Sequence, residues 1–527
     1  MNQASRRTFM RQAAAMTSMG VAAPIGLNLS AITQAAAQST SGGYKAVVCI
    51  FLSGGNDAFN TVLATDSASW GHYEAQRKPT DPALTSIALL PPGQVGGVLP
   101  ISHAGRSVHS GRQFAIHPAL KQVQQLHQDG RVAVVANVGP LTRPTSKADA
   151  ADARVSKPAK LYSHNDQSST WQSFKPEGAG AGWAGLMGDT LMSQNGAGRN
   201  TADAERIQRS FTCMTQTGSS VWLSGKNVMP YQSTGSSILT LGSASTIYGS
   251  TRLHSAAAAI MGKLKVDGST TVAAQNKFTA DHQEVVQRAL QASDLISAKL
   301  APLGTAPWSS AGVVNPSLDP LLKFTSTVDG SQKLNSLAVQ LQMVARLIDT
   351  NRTANLGMTR QFFMVNLGGF DTHSNQITEH GERMAQLNHA MAYFDTVLGA
   401  MPSGNLRSQV TTFTASEFGR TFTSNGDGTD HGWGSHHFVM GGAINGTEVY
   451  GTFPTYSTAN AQGVFSSPNQ LRNGVLLPTT SVDHLAYTLG RWMGVPANIL
   501  VKSDGTGILP NLHLFASATH DLGFMKA

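Results

Sequence analysis

Three uninterrupted apolar runs limit what this chain can become: residues 44–52 (YKAVVCIFL), 131–138 (RVAVVANV) and 361–367 (QFFMVNL). A strand with one face in water alternates apolar and polar residues. A run without a polar face predicts a strand covered on both sides, as in a parallel sheet between helices. A further β-rich segment opens at Val410. Helical spacing fills the gaps: Leu120, Val123 and Leu126 before the Gly130 stop; Leu334, Leu337, Leu341 and Ile348; and Met384, Leu387, Met391, Phe394 and Leu398. Phe278, Val285, Ala289 and Ile296 mark another helix within 271–300. Strands separated by helices predict an α/β fold, a mostly parallel sheet sandwiched by helices. Residues 65–115, rich in Pro and Gly, read as an extended excursion, and 196–320, rich in Ser, Thr, Gly and Ala, as an insertion or helical cap.

Each strand exit carries polar chemistry. The first ends in Ser53-Gly54-Gly55-Asn56-Asp57, the third in Gly368-Gly369-Phe370-Asp371-Thr372-His373. In open parallel sheets the ligand crevice lies at the C-terminal strand edge, so Asp57 and Asp371 are candidate metal ligands there. The plainer reading of Asp57 is a helix cap. Asp371 and His373, two apart on extended backbone, point to the same side and reach one cation. After the second strand a polar connection leads to Ser163-His164. A hydroxyl and an imidazole at a helix start suit a nucleophile, and equally an N-cap.

The densest chemistry lies in 410–447, VTTFTASEFGRTFTSNGDGTDHGWGSHHFVMGGAINGT. Here Glu417, Asp430 and His431 crowd a glycine-rich connection with little to bury, the setting in which loops deliver ligands to divalent metals. A polar surface loop has the same composition. His436 and His437 project to opposite faces of an extended segment, so at most one, taken as His436, faces the site. Arg420 is placed either to balance charge on a transferred group or to brace Glu417. Asp-His pairs also occur at Asp281-His282 and Asp483-His484. The second reads as a helix start capped by Ser481, so the dipeptide alone is no signature.

The N-terminus reads as a leader. Ser5-Arg6-Arg7-Thr8-Phe9-Met10-Arg11 matches the twin-arginine export pattern, with a mild apolar stretch and Ala35-Ala36-Ala37 before Gln38. Residues 1–37 are taken as a signal peptide and 38–527 as one α/β domain. Gly20, Pro24 and Asn28 break the stretch, so no stable membrane anchor is expected. Export makes the twin-arginine translocase a partner and the periplasm or exterior the destination. Losing Arg6, Arg7 and Arg11 takes the net charge from +8 to +5, and with no Lys/Arg run that excludes a nucleic-acid partner. Of the two cysteines, Cys49 sits in an apolar run as a buried free thiol, with a bond to Cys213 left open.

Taken together, FLSGGNDAFNT, AIHPAL with DGRVAVVANVG, the SH and Trp171 segment, GGFDTHSNQ, and TASEFGRT with GTDHGWG and HFVMGGAINGTEVYG resemble a secreted bacterial family. It is domain-of-unknown-function family 1501 (DUF1501), placed in the alkaline phosphatase and sulfatase superfamily. The resemblance implies a sandwich with a metal site at the strand C-termini, one or two divalent cations (Zn, Mn, Mg or Ca), and a Ser/Thr nucleophile acting on phosphate or sulfate esters. By position it implies Asp57 and Asp371 as acid ligands, Ser163 as nucleophile beside His164, and Asp430, His431 or a following histidine as the late ligand. The chain departs from that pattern at Asp371-x-His373, where the superfamily has Asp-x-x-x-His and this chain has Asn375, and at Ser416-Glu417, where it has Asp-His. The expected function is an exported metal-dependent hydrolase of small or polymer-borne esters. The alternative is an exported, metal-stabilised binding or assembly protein without turnover.

Overall fold

The computed structural model describes residues 43–79, 85–103, 106–196, 201–218, 220–233, 292–293 and 295–526. The leader, Asp281-His282 and most of the 271–300 helix lie outside them. The main sheet is built from β1 (Lys45–Ser53), β2 (Val132–Gly139), β3 (Cys213–Thr215), β4 (Tyr231–Gln232), β5 (Arg360–Gly368), β6 (Val410–Ala415), β9 (Ser435–Met440), β10 (Val449–Tyr450) and β11 (Thr480–Ser481). Between β6 and β9 a hairpin of β7 (Arg420–Ser424) and β8 (Thr429–His431) stands off the sheet. The order is β10–β2–β9–β6–β1–β5–β3–β4, with β11 also on β2. Pairings are parallel except where β9 meets β6 and β2, so β9 alone runs against the rest.

Alternation along β1 shows why the apolar runs lack a polar face. Ala46, Val48, Ile50 and Leu52 enter one core, while Val47, Cys49 and Phe51 enter the other. The first core is covered by α4 (Ser336–Thr353) and α5 (Gln376–Gly399). The second is covered by α2 (His164–Ser173), α3 (Trp183–Leu191) and α6 (Val482–Met493). At roughly 25 cal/mol per Å2, burial on both faces makes the central strands the main stabilising element. Cys49 and Cys213 are buried free thiols in the second core.

Two expectations fail locally. The 65–115 stretch holds α1 (Ser67–Arg77) and a small antiparallel sheet of Val62–Ala64, Phe114–Ile116 and Leu99–Ile101. Asp66 caps α1 through the Ser69 amide, and this short helix has too few apolar residues for periodicity to show. Leu334, read as helical, ends an edge strand (Gln332–Leu334) and is exposed; Asn335 then caps α4 through the Leu337 and Ala338 amides. The Asp483-His484 reading holds, with Ser481 and His484 forming a capping box on α6.

Candidate metal centre

Register places the acids. β1 pairs with β5 from Lys45↔Arg360 to Ser53↔Gly368, and with β6 up to Phe51↔Ala415. The three strands therefore end together, Glu417 lies two residues beyond β6, and the Gly54 amide donates to its Oε1 at 2.8 Å. Asp371 lies three residues beyond β5. Gly54 has φ +121°, and a Cβ there would sit 2.3 Å from the Asp371 backbone nitrogen, so only glycine lets the two exits cross. The hairpin pairs Arg420 with His431 and lays Gly428 on the His373 backbone, where a Cβ would sit 2.3 Å from the carbonyl carbon. His164, the first residue of α2, closes the ring.

One ligand atom each from His164, Asp371 and His431 lies within 4.8 Å of the others. His164 Nε2 is 3.4 Å from Asp371 Oδ2, and His431 Nε2 is 3.2 Å from Asp371 Oδ1. His373 Nε2 adds itself at 3.0 Å from His431 Nε2 and 3.1 Å from Asp371 Oδ1. Both inner imidazoles are held from behind. His164 Nδ1 lies 3.0 Å from Glu417 Oε1, and His431 Nδ1 donates to the Tyr162 carbonyl at 2.8 Å. Tyr162 takes a left-handed φ of +74° to present that oxygen. A carbonyl only accepts, so in neutral His431 the proton sits on Nδ1 and the Nε2 lone pair faces Asp371. An imidazole oriented by an outer carboxylate or carbonyl is the usual support of a metal-ligating histidine. Phe418 packs against the His431 and His164 rings at centroid distances of 4.6 and 4.9 Å.

The charges follow from these contacts. The hydrogen bond His164 donates to Glu417, with the Glu417 and Asp371 charges, raises the His164 pKa above its ordinary value against the pull of burial. Burial lowers His431. Partial burial pushes Asp371 up, but Arg420 at 2.7 Å outweighs it and holds the carboxyl below its usual range.

Behind this ring runs a buried polar line. Arg420 donates to Asp371 Oδ1, the Gly54 carbonyl, Thr429 Oγ1 and the Thr429 carbonyl. Thr429 Oγ1 donates to Gln376 Oε1 at 2.6 Å, and Gln376 Nε2 donates to Asp57 Oδ2 at 2.6 Å. Arg77 clasps both Asp57 oxygens at 2.5 and 2.9 Å, and both side chains are wholly buried.

The fold thus gathers His164, Asp371, His373, Glu417 and His431, and corrects four of the other assignments. Asp57 is no ligand: its oxygens are taken by Arg77, Gln376 and the Phe59 amide it caps. Arg420, fully buried, neither braces Glu417 nor faces a transferred group; it fixes Asp371. His436 lies inside the sheet, stacked on Phe453 at 4.3 Å and accepting from the Asn137 amide, and His437 faces Trp171 in the opposite core. Ser163 takes the N-cap position without a side-chain cap bond, and its Oγ donates to Asp166 Oδ2 at 2.8 Å. Asp430 stays at the rim, bonded to Asn425 and 3.6 Å from His373 Nδ1. Sequence reasoning missed Arg77, Gln376, Thr429, Tyr162 and Phe418. Of these only Phe418, an apolar residue inside the polar SEFGR stretch, carried a local signal.

Residues 320–502 match the model of the family described as "Protein of unknown function (DUF1501)", the family that the motifs resemble. No curated protein matches the chain significantly. Among solved structures, one from Bacteroides thetaiotaomicron, titled for the metabolism of multiple glycosaminoglycans by a versatile core genetic locus, is 9% identical. It covers 87% of this chain and 75% of its own at a TM-score of 0.31, a likeness too slight to carry an argument.

Proposed function

We propose that this chain, matched over residues 320–502 by the DUF1501 family, is an exported hydrolase that uses one divalent cation on phosphate or sulfate esters. The frame we assign is alkaline-phosphatase-like, and the translocase of the twin-arginine route its export partner. One observation carries the reading: His164 Nε2, His431 Nε2 and Asp371 converge within 4.8 Å while Glu417 and the Tyr162 carbonyl hold the outer nitrogens. Three protein ligands would match the ligand count of catalytic rather than structural sites. Two imidazoles and one carboxylate suit zinc or manganese better than calcium or magnesium, which favour oxygen cages. Bound there, a divalent cation supplies Lewis acidity, polarising an ester oxygen and lowering the pKa of water from 15.7 toward about 7.

The chain's own residues do the rest. Arg420 holds Asp371 ionised and in place, Glu417 and Tyr162 fix the ring orientations, and Phe418 closes the inner side to water. His373, 46% exposed at its side chain and 3.1 Å from Asp371, stands where it can pass a proton to or from a leaving group. Ser163, tied to Asp166, is left out of this step, and water is the nucleophile.

A non-catalytic, metal-stabilised binding protein is the second reading. The observation favouring it is Arg420, whose burial and bonds to Asp371, the Gly54 carbonyl and Thr429 keep that guanidinium from meeting an ester anion. The deciding experiment measures metal content after export, then turnover of nitrophenyl phosphate and nitrophenyl sulfate by wild type and by Asp371→Asn/His431→Ala. One ion per chain, with activity that the double variant lacks, supports the hydrolase. One ion without turnover supports the binding protein, and no ion sinks both.

A further inference from the structure

Away from the metal centre, α5, the strand Lys323–Thr325 with the residues that follow it, and residues 117–122 line an open cavity of about 1020 Å3. Its size is at the upper end of the roughly 300–1000 Å3 usual for small-molecule sites. Leu89, Phe324 and Ala385 form a buried apolar lining. Leu90, Val328 and Ile377, at the same cavity, are 50%, 59% and 38% exposed, a group of large apolar side chains that a soluble surface ordinarily covers. Lys121 and Lys323 also line it, and among the described residues no carboxylate does and neither lysine has an ion-pair partner. The nearby acid Glu382 is consumed beneath, accepting from Ser326, Thr327 and Lys333. His117 supplies a polar point: its Nδ1 accepts the Ala119 amide, which puts the proton of the neutral ring on Nε2 as its donor. Burial, aided by His380, keeps that ring neutral.

We propose that this cavity binds an amphipathic anion, a medium-chain fatty-acid carboxylate, with its chain on the apolar lining and its head at Lys121, Lys323 and His117. Charge complementarity selects the carboxylate over a neutral or cationic amphiphile, because the described lining carries two ammonium groups and no acid. The site goes beyond the hydrolase reading and shares no residue with the metal centre.

Calorimetric titration of the mature chain with decanoate, decanol and decylamine tests it, in wild type and in the Lys121→Ala/Lys323→Ala variant. Saturable decanoate binding, weakened about tenfold in the lysine variant and absent for decylamine, is the expected result. A second variant, Ala385→Phe, fills the cavity from α5 and is expected to abolish decanoate binding without changing metal content. No saturable heat with decanoate, equal binding of decylamine, or decanoate binding unchanged in both variants overturns the proposal. If instead the metal measurements fail while decanoate binds, only the hydrolase reading falls.

Discussion

Glu417 is outside the group of three side chains whose ligand atoms converge, yet it decides how one of them, His164, stands. Its Oε1 takes both the Gly54 amide and His164 Nδ1, so the ring's Nε2 is turned to Asp371. Glu417→Gln should keep the fold and lower metal affinity about 10–100-fold, the usual cost of removing an outer partner, as read by equilibrium dialysis. The raised proton affinity of His164 has a second consequence: proton and cation compete for the same nitrogen. Metal affinity should therefore fall as pH drops through the His164 pKa, above the ordinary 6.5, and isothermal titration across that range checks it. Arg77 is a different case. Truncating it strands the Asp57 carboxylate in a dry interior, so Arg77→Met should cost about 3–5 kcal/mol in urea unfolding. If the loss were only a few tenths, the buried line from Arg77 to Asp371 would be no support for the site.

At the scale of elements, the site depends on loops crossing closely at the ends of β1, β5 and β6. Gly54→Ala introduces a Cβ into the Asp371 backbone and forces an L residue to φ +121°. The expected outcome is weakened metal binding, with the far-UV signal of the sheet retained. A variant with wild-type affinity would show that the β5 exit can shift without cost. The same crossing explains what could be read in advance. Strand ends and their acids are local features, so Asp371 and Glu417 were legible from apolar runs followed by glycine or a polar residue. The Asp57 assignment failed because its partner Arg77 sits in a helix that periodicity did not reveal. His436 failed because β9 lies inside the sheet, and strand alternation sends its two histidines into opposite cores rather than toward the edge.

The whole molecule buries histidines in number. Desolvation lowers His109, His127, His380 and His484 to about 4, His436 and His437 to about 3, and His117 well below 6.5. Groups with depressed folded pKa values contribute stability that is present above the unfolded value, about 6.5, and lost as pH falls through the folded ones. Asp483, raised to about 6 by burial, works the other way, losing stability as pH rises from about 4 to 6, and Asp349 is raised in the same sense, but the lowered histidines outnumber these two acids. Chemical denaturation should therefore show the protein weakening steeply between pH 6.5 and 4. His437, with neither ring nitrogen hydrogen-bonded and its ring on Trp171, is the test position. His437→Phe should leave stability near neutral pH within about 1.5 kcal/mol and move the acid midpoint lower. An unchanged midpoint would remove His437 from the account.

What the amino-acid order determined by itself was the covered sheet, the helices that cover it and the acids at its strand ends, because hydrophobic periodicity and strand exits are properties of neighbours along the chain. Only the tertiary structure decided which of those polar groups meet. Asp57 and Asp371 follow the same kind of strand and each meets a buried guanidinium, yet Arg77 takes both oxygens of the first while Arg420 takes one of the second and leaves it facing three imidazoles. A carboxylate's role depends on the charge and the water that reach it, and here the guanidiniums that set them stand 20 and 49 positions away along the chain.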